Sequence, residues 1–233
     1  MIAEAIGYLQ EDDDAATTVL LGGVLTLFGF LLVPLFAVAG YLIRVLDRTA
    51  RGDDEPPAFD EWGALIVDGL KASIIAFVYA LVPTAVLLAF LVSGGLLGAS
   101  GSDVLGAIAG IGVLLGLLVW FALTLLVAYA VPAALANFAE TRRLGAGFES
   151  ATMRRVLVDK TYATGWLSAF VIVVAGGVVT SVLSMVPVLG LVAGAFVGFY
   201  TAVAAYYVVG HTWGEIRHPP MRQRPEISEQ AGI

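Results

Sequence analysis

Five stretches of the chain contain no Asp, Glu, Lys or Arg and are each long enough to cross a bilayer: Val19–Ile43, Ala72–Val92, Val104–Val131, Thr164–Val186 and Val188–Gly210. A hydrocarbon core about 30 Å thick requires roughly 20 apolar residues per helical crossing. Within it each backbone amide must be bonded inside its own segment. The apolar character runs all round each stretch, as lipid or neighbouring spans on every side require. The whole chain agrees, with 59% hydrophobic and 13% charged residues, against roughly 45–50% and about 25% in soluble domains. The expected fold is all-α, an integral membrane helical bundle of about five transmembrane helices with cytoplasmic interfacial amphipathic helices. Residues 19–216 would form a single membrane domain between an N-terminal extracellular segment, 1–18, and a disordered cytoplasmic tail, 217–233.

The basic residues orient this bundle. Arg44, Arg48, Arg51 and Lys71 lie in the first loop, Arg142, Arg143, Arg154, Arg155 and Lys160 in the third, and Arg217, Arg222 and Arg224 in the tail. The N-terminal residues, the loop after the second run and the turn before the fifth have none. Positive loops stay cytoplasmic, so a multi-pass cell-membrane protein is expected with its N-terminus outside and its C-terminus inside. All twelve basic residues fit a count of five. The first 16 residues lack the basic start and small-residue cleavage site of a signal peptide. Their apolar residues Ile2, Ile6 and Leu9 suit either a short turn on the outer surface or an unstructured acidic tail.

The chain carries 19 acidic and 12 basic residues, and even the first cytoplasmic stretch, Arg44–Lys71, holds more acid than base. At molar salt the Debye length shrinks to roughly 3 Å and crowded acids repel little, so a high-salt cytoplasm and a haloarchaeal source are expected; an acidic mesophile is the alternative. With no cysteine, disulfides, thiolate nucleophiles and thiolate metal sites are excluded.

The densest charge lies in RGDDEPPAFDEWGALIVDGLKAS, Arg51–Ser73. Gly52–Pro57 reads as a turn-forming linker held extended by its paired prolines. From Phe59 onward, helical periodicity places Phe59, Trp62, Leu65, Ile66, Gly69 and Leu70 on one arc and Asp60, Glu61, Asp68 and Lys71 opposite. This predicts an amphipathic helix at the cytoplasmic interface, anchored by Phe59, Trp62 and Leu65 with Lys71 at the membrane edge. The other reading has the arc packing on neighbouring spans. Phe148, Glu149 and Lys160 repeat the spacing of Phe59, Asp60 and Lys71, a weak sign of internal duplication.

Gly190, Gly194 and Gly198 recur every four residues on the fifth run, and Gly106/Gly110 and Gly112/Gly116 mark the third. Such stripes let helix backbones approach closely, within one bundle or between copies of the chain. Pro34 and Pro83 are expected to kink their spans. His211, Glu215 and His218 are spaced like ligands on one helix face, but Pro219 disfavours helix at His218, and no metal is assigned. Asn137 and Glu140 suit a cytoplasmic vestibule or a polar helix cap. No phosphate loop, hydrolytic triad or nucleic-acid-binding tract is present. No catalytic residue, cofactor or nucleic-acid partner is expected.

GYLIRVLDRTARGDDEPPAFDEWGALIVDGLK, VPAALANFAETRRLGAGFE and VPVLGLVAGAFVGFY, in that order, resemble the domain of unknown function 4013 family, multi-pass membrane proteins common in haloarchaea and some methanogens. A fainter likeness is to the membrane domains appended to bacterial glycerophosphodiester phosphodiesterases. Neither resemblance implies an activity or a site. Three functions stay open: a non-catalytic scaffold or assembly component, a small permease or exporter for a neutral or lipid-like solute, and an intramembrane or lipid-modifying enzyme using interface carboxylates such as Asp60, Asp68, Glu140 or Glu149. No ionisable group lies at mid-membrane to couple ions to transport. The expected partners are the lipid bilayer and a second copy or other membrane proteins.

Overall fold

The computed structural model describes residues 2–10 and 15–217, and these residues are helical with short connections and no strand. The helices are α1 (Ile2–Gly7), α2 (Ala15–Leu27), α3 (Val33–Ala50), α4 (Trp62–Gly98), α5 (Asp103–Thr141), α6 (Ser150–Leu157), α7 (Lys160–Leu183) and α8 (Pro187–Arg217). Four of them, α4, α5, α7 and α8, are long and apolar enough to cross a membrane, and α2 is a shorter apolar helix. The tail from residue 218, with His218, Arg222 and Arg224, lies outside the described residues.

The first apolar run is two helices rather than one span. α2 stops at Leu27, a tight 3-10 turn covers Gly29–Leu31, Leu32 takes a positive φ of 64°, and α3 starts at Val33. Pro34 sits in the first turn of α3, where a missing amide hydrogen costs nothing. It therefore starts a helix and does not kink one, which corrects the expectation for Val19–Ile43.

The two pieces run in opposite directions along α8. Gly22 and Gly23 lie against Phe199 and Phe196, and the end of α2 approaches Gly190 and Gly194. On α3, Tyr41 meets Phe199 with ring centroids 5.5 Å apart, while Thr49 and Ala50 lie against Gly210 and Gly214. This hairpin brings the N-terminal residues back to the first loop. The Tyr8 hydroxyl donates to the Glu55 carbonyl at 3.3 Å, and its ring lies 4.6 Å from that of Tyr207. Tyr207 in turn donates to Asp54 at 3.1 Å. Residues 2–10 and the first loop thus occupy one end of the bundle, not opposite faces as expected. The N-terminal segment has no basic residue, so charge asymmetry carried no information about it.

α4 and α5 contain 37 and 39 residues. At 1.5 Å per residue they are about 55 and 58 Å long, beyond the ~40–45 Å of a bilayer with its headgroups. The interfacial helix expected before the second span is instead the first part of α4 itself. The packed core lies toward the end that carries the basic loops: Tyr41, Leu46, Leu65, Ile75, Phe138, Tyr162, Val208 and Trp213 are fully buried there. Away from it, Leu88, Leu96, Leu114, Leu118 and Val178 are exposed, as suits side chains solvated by lipid.

The core is set by backbone contact. A Cβ at Gly40 would overlap the backbone of Leu65, and one at Gly69 would overlap that of Phe36. The α3–α4 crossing is therefore open only to glycine on both helices. Gly210 and Gly214 admit α3 to α8 in the same way, against Thr49 and Ala50. Gly69→Ala is expected to cost roughly 1–3 kcal/mol through overpacking. Gly63→Ala, where nothing lies within 4 Å, should be neutral or stabilising by up to ~1 kcal/mol. Detergent melting of the two variants checks this, and equal melting temperatures would remove the crossing from the account.

The α2–α3 hairpin makes its own prediction. Ala3→Cys and Ser150→Cys should share one accessibility to an impermeant maleimide, and Ser100→Cys should show the opposite one. A continuous first span would instead group Ala3 with Ser100.

Candidate functional site at the basic end of the bundle

The linker between α3 and α4 shapes this end. Gly52, at φ 79°, reverses the chain after α3, and Pro56 and Pro57 are buried. The extended chain then delivers Phe59 into an aromatic stack. Its ring lies 4.3 Å from Tyr41 at 11°, 6.0 Å from Trp62 and 6.1 Å from Phe199. Glu61 takes a left-handed conformation, φ 46°, and α4 begins at Trp62. Phe59 thus precedes the helix, correcting its expected place on an amphipathic arc. Leu65 and Gly69 are buried on α3, while Trp62 and Leu70 stay exposed. The inner half of the arc packs on a neighbouring helix, and the edge holding Trp62 and Leu70 faces outward.

The acids of this stretch meet basic residues from three helices. Arg44 pairs with Asp60, and with Glu61 at 3.3 Å. Arg142 reaches Asp47 at 2.8 Å and Asp68 at 2.5 Å, tying α5 to α3 and α4 at once. Arg51 pairs with Asp47 at 2.7 Å, Lys71 with Asp68 at 3.7 Å, and Arg48 with Asp53 at 3.9 Å. Arg44, Arg48, Asp47, Asp60, Glu61 and Arg142 border a cavity of about 340 Å³. Each of these charges faces an opposite one. Such a set of charge-assisted contacts holds the helices in register. Arg142 caps α5 with a left-handed φ of 55°, a conformation that glycine adopts more easily.

The other polar residues are also occupied. Asn137 is buried and donates to the Ala146 carbonyl at 2.8 Å. Glu140 accepts from the Trp213 indole at 2.9 Å and from Arg217 at 3.3 Å. These are helix-joining contacts, which favours the cap over the vestibule. His211 lies 3.6 Å from Glu215 and stacks on Tyr207. Among the described residues no group of three His, Cys, Asp or Glu is arranged to hold a metal. Burial pushes the Tyr8 hydroxyl up from its ordinary range, whereas the Thr152 hydroxyl holds the exposed Glu149 carboxyl down.

The glycine stripe divides. Gly190 is closed off by the backbone at Leu183 and Ser184, and Gly194 meets the Thr180 methyl at 3.1 Å, both on the preceding helix and turn. Gly198 has nothing within 4 Å, and neither have Gly106, Gly110 and Gly112. The Gly40–Gly69 contact and the Arg142 clasp are absent from the sequence reading. The only available signal was an acid excess in Arg44–Lys71 facing a cluster of arginines in another loop. Asp47 and Arg142 are 95 positions apart, and no spacing rule pairs them.

Removing Arg142 would leave Asp47 and Asp68, only 14% and 16% exposed as side chains, without the partner they share. Breaking a fully buried pair costs about 3–5 kcal/mol. With Arg142 itself 39% exposed and solvent screening, Arg142→Ala should cost about 2 kcal/mol. Arg51→Ala, at the exposed edge, should cost less than about 0.5 kcal/mol. Chemical or thermal unfolding in detergent distinguishes them, and comparable losses would show that the clasp is only a surface ion cluster.

Comparison with curated proteins and with solved structures finds no match. Residues 25–185 match the family described as "Protein of unknown function (DUF4013)", which is well over half of the chain. From the last turn of α2 through the end of α7, with the close α3–α4 crossing and the Arg142 clasp inside the matched region, this chain belongs to the DUF4013 family.

Proposed function

We propose that the protein is a non-catalytic scaffold or assembly component of the cell membrane, its basic end in the cytoplasm and its C-terminus on that side. One observation carries this reading: Arg44, Asp47, Asp60, Glu61, Asp68 and Arg142 neutralise one another across α3, α4 and α5. An enzyme would need one of them free to move a proton, and Asp60 and Asp68 are both held by arginines. A rigid end carrying the exposed acidic residues Asp53, Asp54 and Glu55 suits protein docking. The cytoplasmic placement follows from the positive-inside rule, to which every described basic residue conforms. The haloarchaeal source follows from the acid excess.

A permease for a lipid-like solute is the second reading, favoured by an apolar groove of about 380 Å³ between α4 and α5. Two measurements separate the readings and test the orientation. Proteoliposomes holding the purified chain should show no saturable flux of neutral solutes above protein-free vesicles, while mild-detergent extracts of the native membrane should retain a stoichiometric protein partner. Saturable flux would replace the scaffold by the permease. In intact cells only Ser100→Cys should react with an impermeant maleimide, and labelling of Ser150→Cys would invert the orientation.

A further inference from the structure

The four basic residues of the first loop, with Arg142 and Arg217, all sit in ion pairs. Arg143, Arg154, Arg155 and Lys160 are exposed, and none makes an ion pair among the described residues. All four belong to one stretch, 143–160, whose two acids are already engaged. Glu149 accepts from the Thr152 hydroxyl at 2.9 Å, and Asp159 accepts from the Thr161 amide at 2.7 Å. In a chain of net charge −7, this stretch carries four basic and two acidic residues.

One residue of the same stretch, Phe148, lines the apolar groove. Phe148, between Arg143 and Arg154 in sequence, stacks on Tyr79 with ring centroids 5.7 Å apart at 15°. The Tyr79 hydroxyl fastens the loop by donating to the Gly147 carbonyl at 2.8 Å. From these two rings the groove runs along α4 and α5 between Val78, Val82, Leu123 and Leu126. The eight residues Leu123–Ala130, seven helical rises, span about 10 Å, the length of a portion of a lipid chain. An apolar slot whose aromatic rim belongs to a loop with exposed cations matches a molecule that is apolar at one end and anionic at the other. Arginine suits the anion, because its planar fork binds phosphate oxygens two at a time.

We propose that this groove and loop form a binding site for one anionic phospholipid, its chain between α4 and α5 and its phosphate held by Arg143, Arg154 and Arg155. The site stands independently of the scaffold reading, since either a scaffold or a permease can carry a resident lipid.

Native mass spectrometry of the detergent-purified full chain tests it with phosphatidylglycerol and phosphatidylcholine of identical chains. One phosphatidylglycerol should be retained in preference to phosphatidylcholine, with about a fivefold loss of affinity for each arginine changed to Gln. The triple Arg→Lys variant, which keeps the charge but loses the bidentate fork, should keep only part of the preference, and Arg51→Gln all of it. Val82→Trp and Leu126→Trp, at exposed groove positions, should weaken binding of both lipids. Unchanged melting temperatures certify that each variant is folded, and any variant that melts low is replaced by its Lys or Phe counterpart. Equal retention of the two lipids would overturn the headgroup site. Glycerol phosphate competing as well as the whole lipid would reduce it to a bare anion site, and indifference to both Trp variants would remove the groove from it.

Discussion

Everything at the packed end of the bundle depends on how closely α3 approaches its neighbours. Gly40 and Gly69 allow the backbones of α3 and α4 to touch, and Gly210 and Gly214 allow α8 the same approach to α3. In a bilayer, where lipid tails are as apolar as leucine, close packing is a main source of helix association. The contact also explains why α3 can be the central element although its apolar run is interrupted at residues 28–32. It is held from both sides by helices long enough to cross the membrane unaided.

Once α3 and α4 are locked together, their charged ends have nowhere to separate. Asp47, Asp60, Glu61 and Asp68 crowd at one end, and an acidic cluster of that density requires counter-charge. Arg44 supplies it from α3 itself, and Arg142 supplies it from the far end of α5. The clasp is thus a consequence of the glycine crossing, and it adds a third helix to the pair. The cations of the loop at 143–160 are exposed and form no ion pair among the described residues, with only Glu149 acting on Arg143 at longer range, which leaves them open to something outside the chain.

The two consequences divide the molecule. One end is dense and charged, with its α3–α4–α5 charges paired internally; the remainder consists of long paired helices with exposed apolar sides. The outside of the molecule follows the same division, with an acidic linker and a cationic loop at one end and apolar helix faces along the rest. The charges around the 340 Å³ cavity are paired with one another and with their neighbours, and they join α3, α4 and α5.

Class and much of the topology were legible in the sequence because they depend on composition and on local order. Uncharged runs long enough to cross a bilayer, and basic residues confined to particular loops, are read one segment at a time. The arc of Leu65 and Gly69 was visible by periodicity, though not whether lipid or protein would cover it. Tertiary structure decided what depends on two distant segments meeting. The break before Pro34 became a hairpin because α8 offers Phe196 and Phe199 to Gly22 and Gly23. Of the glycine stripe, Gly190 and Gly194 face the α7 side and Gly198 faces open space, a matter of helix rotation that a four-residue repeat does not encode. Asp47 and Arg142 became partners only because the α3–α4–α5 arrangement carries them together. Hydrophobicity is a property of each residue and survives in a one-dimensional reading; contact is a property of pairs, and only the folded chain specifies them.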